Sequence, residues 1–149
     1  MKKNILVISL RFFLANCGFT PVYLMNTDVN FSIEQVILTG DKELNNFLKT
    51  NLNQYKNKKI DNKIYIEANS IYKKIVLSKD GTGEVTNYQL EAEVVFLIKP
   101  LNKKIKITEK KIIDSMDDKF EEARNEREIK QIFASSISNK LSSEITINQ

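Results

Sequence analysis

The clearest pattern along the chain is an alternation. Tyr88, Leu90, Ala92, Val94, Phe96 and Ile98 recur at every second position. Asn87, Gln89, Glu91 and Glu93 occupy the places between, until Val95 and Leu97 break the polarity. A period of two is that of a strand with one buried face. On the N-terminal side, Ile64, Ile66 and Ala68 alternate in the same way, and then the phase shifts to Ile71, Ile75 and Leu77. Such a shift predicts a bulge or strong bend around Asn69 to Tyr72. Asp80-Gly81-Thr82-Gly83 between the two runs reads as a hairpin turn. After Lys99-Pro100-Leu101-Asn102 a third run places Ile105, Ile107 and Ile113 inward and Lys104, Lys106, Thr108 and Lys110 outward. These runs form an antiparallel meander.

Two segments carry helical spacing instead. Leu44, Phe47, Leu48, Leu52 and Tyr55 are three and four residues apart, after a Thr39-Gly40-Asp41 stop that can also cap a helix. Asp114, Asp117, Asp118, Glu121 and Glu122 precede a second stripe, with acids at the positive end of a helix dipole. Its buried positions are Phe120, Ile129, Ile132, Phe133, Ile137, Leu141 and Ile145, with the small residues Ala134, Ser135 and Ser136 in the middle. A further strand spans roughly Phe31 to Leu38. The order is β-α-β-β-β-α, an α+β arrangement. Each helix has one face to bury, so both are expected on one side of the sheet.

The first residues obey a different logic. Lys2 and Lys3 precede an apolar stretch, Ile5 to Leu10 and Phe12 to Ala15, and then Leu14-Ala15-Asn16-Cys17-Gly18. This is the layout of a secretory signal. As a helix, residues 5 to 16 reach roughly 18 Å, short of the ~30 Å hydrocarbon core. Cys17 is the sole cysteine, so an internal disulfide is impossible. Leu at −3, Ala at −2 and Cys at +1 match a lipobox, whose thiol takes a diacylglyceryl group and whose new amine is acylated after cleavage. Asn16 stands where a small residue is usual, and Arg11 interrupts the apolar run. The alternatives are an uncut signal-anchor and an ordinary cysteine in a linker. The division expected is a signal at 1–16, a lipidated Cys17 with an extended leader at 17–30, and one domain at 31–149.

That division changes the charge. The whole chain is +4, but Lys2, Lys3 and Arg11 lie in the signal and no acid does, leaving 20 basic and 19 acidic residues. A nucleic-acid footprint needs a basic excess on the folded part, so that class is excluded unless residues 1 to 16 are retained. The chain has no histidine, the commonest general base and metal ligand. No serine lies in a nucleophile-elbow pattern, and Gly81-Thr82-Gly83 lacks the spacing of a phosphate-binding loop. The acids of 114 to 128 read as helix-start and surface residues. No enzymatic activity, cofactor or metal is expected, and a small periplasmic hydrolase is the class to be dismissed. Lys104, Lys106 and Lys110 share one strand face and could bind phosphates or acidic sugars as point charges. The plainer reading, and the one favoured, is that these lysines blunt an exposed strand against aggregation.

Cys17-Gly18-Phe19-Thr20-Pro21-Val22-Tyr23 resembles the Cys-Gly-Phe-x-Pro-Leu-Tyr start of the lipopolysaccharide-assembly lipoproteins, the LptE family. The element order of the rest is similar too. The resemblance implies a two-layer α/β sandwich with two helices on one face of a four-stranded, mainly antiparallel sheet. It implies a non-enzymatic lipoprotein tethered to the periplasmic side of the outer membrane through acyl chains on Cys17, palmitate among them. It also implies a plug inside the LptD β-barrel that supports the barrel and assists delivery of lipopolysaccharide. Gly18, rather than Asp, comes after the cysteine and implies export outward. Lys104, Lys106 and Lys110 are the residues expected to meet lipopolysaccharide. The alternative is a lipid-anchored accessory domain of another envelope machine.

Overall fold

The computed structural model describes residues 29–56 and 59–147; the signal, Cys17 and the seven-residue start lie outside the described residues. Four strands, β1 (Ser32–Gly40), β2 (Lys63–Lys79), β3 (Val85–Lys99) and β4 (Lys103–Asp114), form one sheet in the order β1-β2-β3-β4. Two helices, α1 (Lys42–Leu52) and α2 (Lys119–Thr146), pack on one face of it. The sequence order β-α-β-β-β-α and the mainly antiparallel α+β arrangement are those expected. β1 and β2 are parallel, because the connection between them crosses over through α1. The short turns after β2 and β3 make the other two pairings antiparallel.

Local chemistry sets the boundaries. Gly40 ends β1 at φ +100°, where a side chain would also collide with the Ser70 carbonyl oxygen. Asp41 then caps α1, its carboxylate accepting the Leu44 amide at 2.8 Å. Asp118 caps α2 in the same way, accepting the amides of Phe120 and Glu121. In the β2–β3 turn the Asp80 carboxylate accepts the amides of Thr82 and Glu84, and Gly83 takes φ +91°.

The core lies between the sheet and the helices. Leu44, Leu48 and Leu52 of α1 and Ile129, Phe133, Ile137, Leu141 and Ile145 of α2 are buried against the alternating set Leu90 to Ile98 of β3. Ile64, Ile66, Ile105, Ile107 and Ile113 complete that layer, with Val29, Phe31 and Tyr55 at one end. Phe31 and Tyr55 pack with tilted rings, their centroids 5.6 Å apart. Each fully buried side chain of this size contributes about 1.5–3 kcal/mol. Ala134 and Ser138, fully buried in the middle of α2, are small enough to leave room for close packing.

Three expectations are corrected. β2 has no bulge at Asn69 to Tyr72: it pairs with β3 without interruption from Tyr65↔Lys99 to Val76↔Tyr88, and the register shifts only between Val76 and Lys79. The shift of phase is instead a change of side, which puts Ile71, Ile75 and Leu77 on the face without helices, where they are exposed. Phe120 and Ile132 do not belong to the buried stripe of α2, being 76% and 57% exposed. The acids of 114 to 128 are not all surface residues, because Glu122 is only 5% exposed.

Candidate functional site

Strand alternation and the pairing registers place the open face of the sheet residue by residue. Across β2, β3 and β4 the rows read Glu67–Leu97–Lys104, Asn69–Val95–Lys106 and Ile71–Glu93–Thr108. The next rows are Lys73–Glu91–Lys110 and Ile75–Gln89–Ile112. Lys104, Lys106 and Lys110 thus lie together on the face turned away from the helices. Glu109, the acid among the lysines of β4, points the other way, where it accepts from Ser136 at 2.7 Å and Lys140 at 2.6 Å.

The lysines are not equivalent. Lys106 pairs with Glu93 at 2.8 Å and Lys110 with Glu91 at 3.0 Å, while Lys104 makes no ion pair among the described residues. The hydrogen bond from Lys110 is the main reason that the Glu91 carboxyl is held below its usual range. Lys99 pairs with Glu67 at 2.8 Å on the same face. An anionic ligand at Lys106 or Lys110 would therefore compete with an adjacent carboxylate. Apolar residues flank this charged band on both sides: Ile37, Tyr65 and Leu97 towards one end, and Ile75, Leu77 and Ile112 towards the other. Ile112 is 62% exposed.

A second polar constellation sits on the covered side, where β2 meets both helices. Glu122 accepts Lys74 at 2.8 Å, Lys119 at 3.2 Å and the Met116 amide at 3.0 Å. With Lys74 as the leading cause, these donors hold its carboxyl at about 2. Glu126 also pairs with Lys74, and Lys130 with Glu43 at 2.9 Å. The two ammonium groups lie over aromatic rings, Lys74 on Tyr88 at 4.3 Å and Lys130 on Tyr72 at 4.2 Å. Burial above all, then the nearby Glu126 carboxylate, pushes the Tyr72 hydroxyl well above its usual range. The arrangement ties β2, α1 and α2 together and sets these charges against partners. Its acids are legible in the sequence only as a helix start, because Lys74 reaches them from a strand 48 positions away.

Among the described residues no group of three or more His, Cys, Asp or Glu side chains could hold a metal ion, and no helix is long and apolar enough to cross a membrane. A shallow cleft between the β2–β3 turn and the start of α2 is lined by Glu84, Thr86, Tyr88, Ser115, Met116 and Lys119 among others. Its serine is already engaged, donating to Glu122 at 3.3 Å.

No family model matches the chain, and no curated protein matches it in sequence. The fold is shared with solved bacterial lipoproteins. The crystal structure of the rare lipoprotein B from Shewanella oneidensis superposes with a TM-score of 0.52 at 19% identity, over 77% of this chain and 99% of that one. An uncharacterized lipoprotein B from Nitrosomonas europaea, solved in solution, gives 0.54 at 17% identity, over 79% and 86% of the two chains. A minor lipoprotein from Acinetobacter baumannii gives 0.50 at 14% identity, over 74% and 93%. At these identities the likeness is one of fold.

The fold explains why β4 carries the lysines at its face and not in its core. β4 is an outer strand of the sheet, α2 lies against its inner side, and only alternate positions remain open. Lys103, at the start of β4, donates to the Glu144 carbonyl at 2.9 Å and helps to fasten that edge to α2.

Proposed function

We propose that this chain is a non-enzymatic lipoprotein of the outer membrane, anchored by acyl chains on Cys17 and facing the periplasm. In this reading it plugs and supports the LptD β-barrel and assists transfer of lipopolysaccharide to the outer leaflet. The observation that carries the reading is a conjunction. The start Cys17 to Tyr23 resembles that of the LptE family, and the domain after it has the fold of rare lipoprotein B along nearly that protein's whole length. The mosaic of ion pairs and apolar side chains on the open sheet face suits a protein wall better than bulk water, because barrel lumens are polar yet packed. Lys104, which makes no ion pair among the described residues, is the first contact for a lipopolysaccharide phosphate. Lys106 and Lys110 join it if their glutamates yield.

Two measurements test this. Intact mass of the membrane-extracted protein should begin at Cys17 and include the acyl chains; an unmodified chain from Met1 overturns the anchor. Mild detergent extraction should yield a one-to-one complex with a large β-barrel. A lipidated protein that never co-purifies with a barrel would instead belong to another envelope machine.

A further inference from the structure

The two outer strands of the sheet are finished differently. Beyond β1, Lys56 bridges to Ile33 from the side away from β2. Beyond β4 no strand follows among the described residues. One bond shows which main-chain groups of β4 are left over. The Ser115 amide donates to the Thr86 carbonyl at 2.8 Å, so the Ser115 main chain faces β3. The register from Asn87↔Asp114 to Ile98↔Lys103 is uninterrupted. Main-chain groups alternate along an antiparallel strand, so those of Lys104, Lys106, Thr108, Lys110 and Ile112 point away from β3. The edge that they form has neither a bulge nor a proline.

The lane beside this edge has a wall. Ser136 and Lys140 of α2 reach Glu109 of β4, so the flank of α2 that carries them overlooks β4. Asn139 and Ser143 follow on that flank, and with Ile105 and Ile107 they line a groove of about 500 Å³. Ile132 lies one turn before Ser136 on the same flank. Both Ile132 and, on the open face of the edge, Ile112 are exposed. A strand laid beside β4 would cover both.

Lysines ordinarily blunt such an edge. Here Lys106 and Lys110 lean back onto Glu93 and Glu91 of β3, and Lys103 is tied to Glu144. We infer that β4 accepts, along its Lys104–Ile112 edge, one extended segment of a partner protein, which pairs through the main chain in the groove beside α2. The outward main-chain groups select an extended peptide, and the two isoleucines select β-branched side chains along it. Charge enters only at the ends, where Lys104 and Lys111 make no ion pair among the described residues. A second copy paired antiparallel through this edge would bring its own α2 to the same side of the sheet, against the flank that already walls the lane. It would also add a second Lys104 and Lys111. A bare strand meets neither obstacle. This inference does not rest on the barrel reading, because main-chain pairing needs neither a barrel nor lipopolysaccharide.

The test uses the full chain in detergent and a labelled peptide of about nine residues, the length of the edge, with alternating valine and threonine and a glutamate at each end. Binding is read by fluorescence anisotropy and by amide exchange. The peptide should bind and slow exchange at the amides of Lys104, Lys106, Thr108, Lys110 and Ile112. Alternate peptide nitrogens form two sets, of which only one can face β4. Methylating that set should weaken binding about tenfold or more, and methylating the other should change it little. Both methylated peptides keep the charges and side chains, so this arm separates pairing from charge. Ile132→Asp, at an exposed position, should also weaken binding, with melting unchanged. If that variant loses stability, the methylated peptides still decide. No binding up to about 1 mM peptide, an equal effect of both methylated sets, or no slowing at those amides overturns the inference. So does self-association of the chain that slows the same amides.

Discussion

The two faces of one sheet differ in what covers them. On the covered face, β3 presents Leu90, Ala92, Val94, Phe96 and Ile98, all fully buried beneath α1 and α2. On the open face the same strand presents Gln89, Glu91, Glu93, Val95 and Leu97, with lysines of β4 alongside. The covered face holds its polar groups in partnered sets: Glu122 is buried beneath Lys74 and Lys119, and Glu109 is held by Ser136 and Lys140. The open face spreads ion pairs between apolar side chains and leaves several of them exposed. Ile71 and Ile112 are among these exposed residues. The difference shows that alternation alone does not make a face solvent-facing; what covers the opposite side of each strand decides that.

The largest effect should come from the covered face. Phe96→Ala removes a fully buried ring and should cost about 3–5 kcal/mol in urea denaturation. An equal loss for Ile112→Ala on the open face would break the contrast.

Next is the sealed polar group. Glu122→Gln removes the acceptor of Lys74, Lys119 and the Met116 amide and should cost about 2–3 kcal/mol, because hydrogen bonds to a charged group are lost while Glu126 still holds Lys74. The pH dependence has a definite sign. The folded carboxyl is held at about 2, below the ordinary 4.5. Its contribution is therefore fully present above the ordinary value and is lost as pH falls towards about 2. Denaturation across that window should show a slope that Glu122→Gln flattens.

The open face offers a finer test. Replacing Lys104, Lys106 and Lys110 with Gln should weaken lipopolysaccharide binding and leave the melting temperature unchanged; unchanged affinity at low salt sinks the role of these lysines. Replacing Glu91 and Glu93 with Gln should strengthen binding, since Lys106 and Lys110 lose their present partners. The smallest effect is expected of Ile112→Ser, which should alter stability by less than about 0.5 kcal/mol while weakening any complex formed through this face.

Much of the fold is legible in the order of residues. Asp41 and Gly40 mark the end of β1 and the start of α1, and the alternation of β3 names its buried residues one by one. These are local matters of capping, turn chemistry and period. The phase shift in β2 is also visible there, but its meaning is not. A bulge and a change of side leave the same trace in a sequence, and only the uninterrupted register from Tyr65 to Val76 separates them. Phe120 and Ile132 fit a helical stripe by spacing yet stay exposed, because α2 meets the sheet over only part of its circumference.

The sequence by itself determined the order of elements, the caps, the buried set of β3 and the position of Cys17 in a signal-like start. Each of these depends on residues within a turn or two of one another. Tertiary structure alone decided that Glu93 and Glu91 partly neutralise the lysines of β4, that Glu122 is sealed by Lys74, and that β1 stops short of the end of β2. Those outcomes depend on which strands become neighbours and in what register, and distant segments meet only when the core closes.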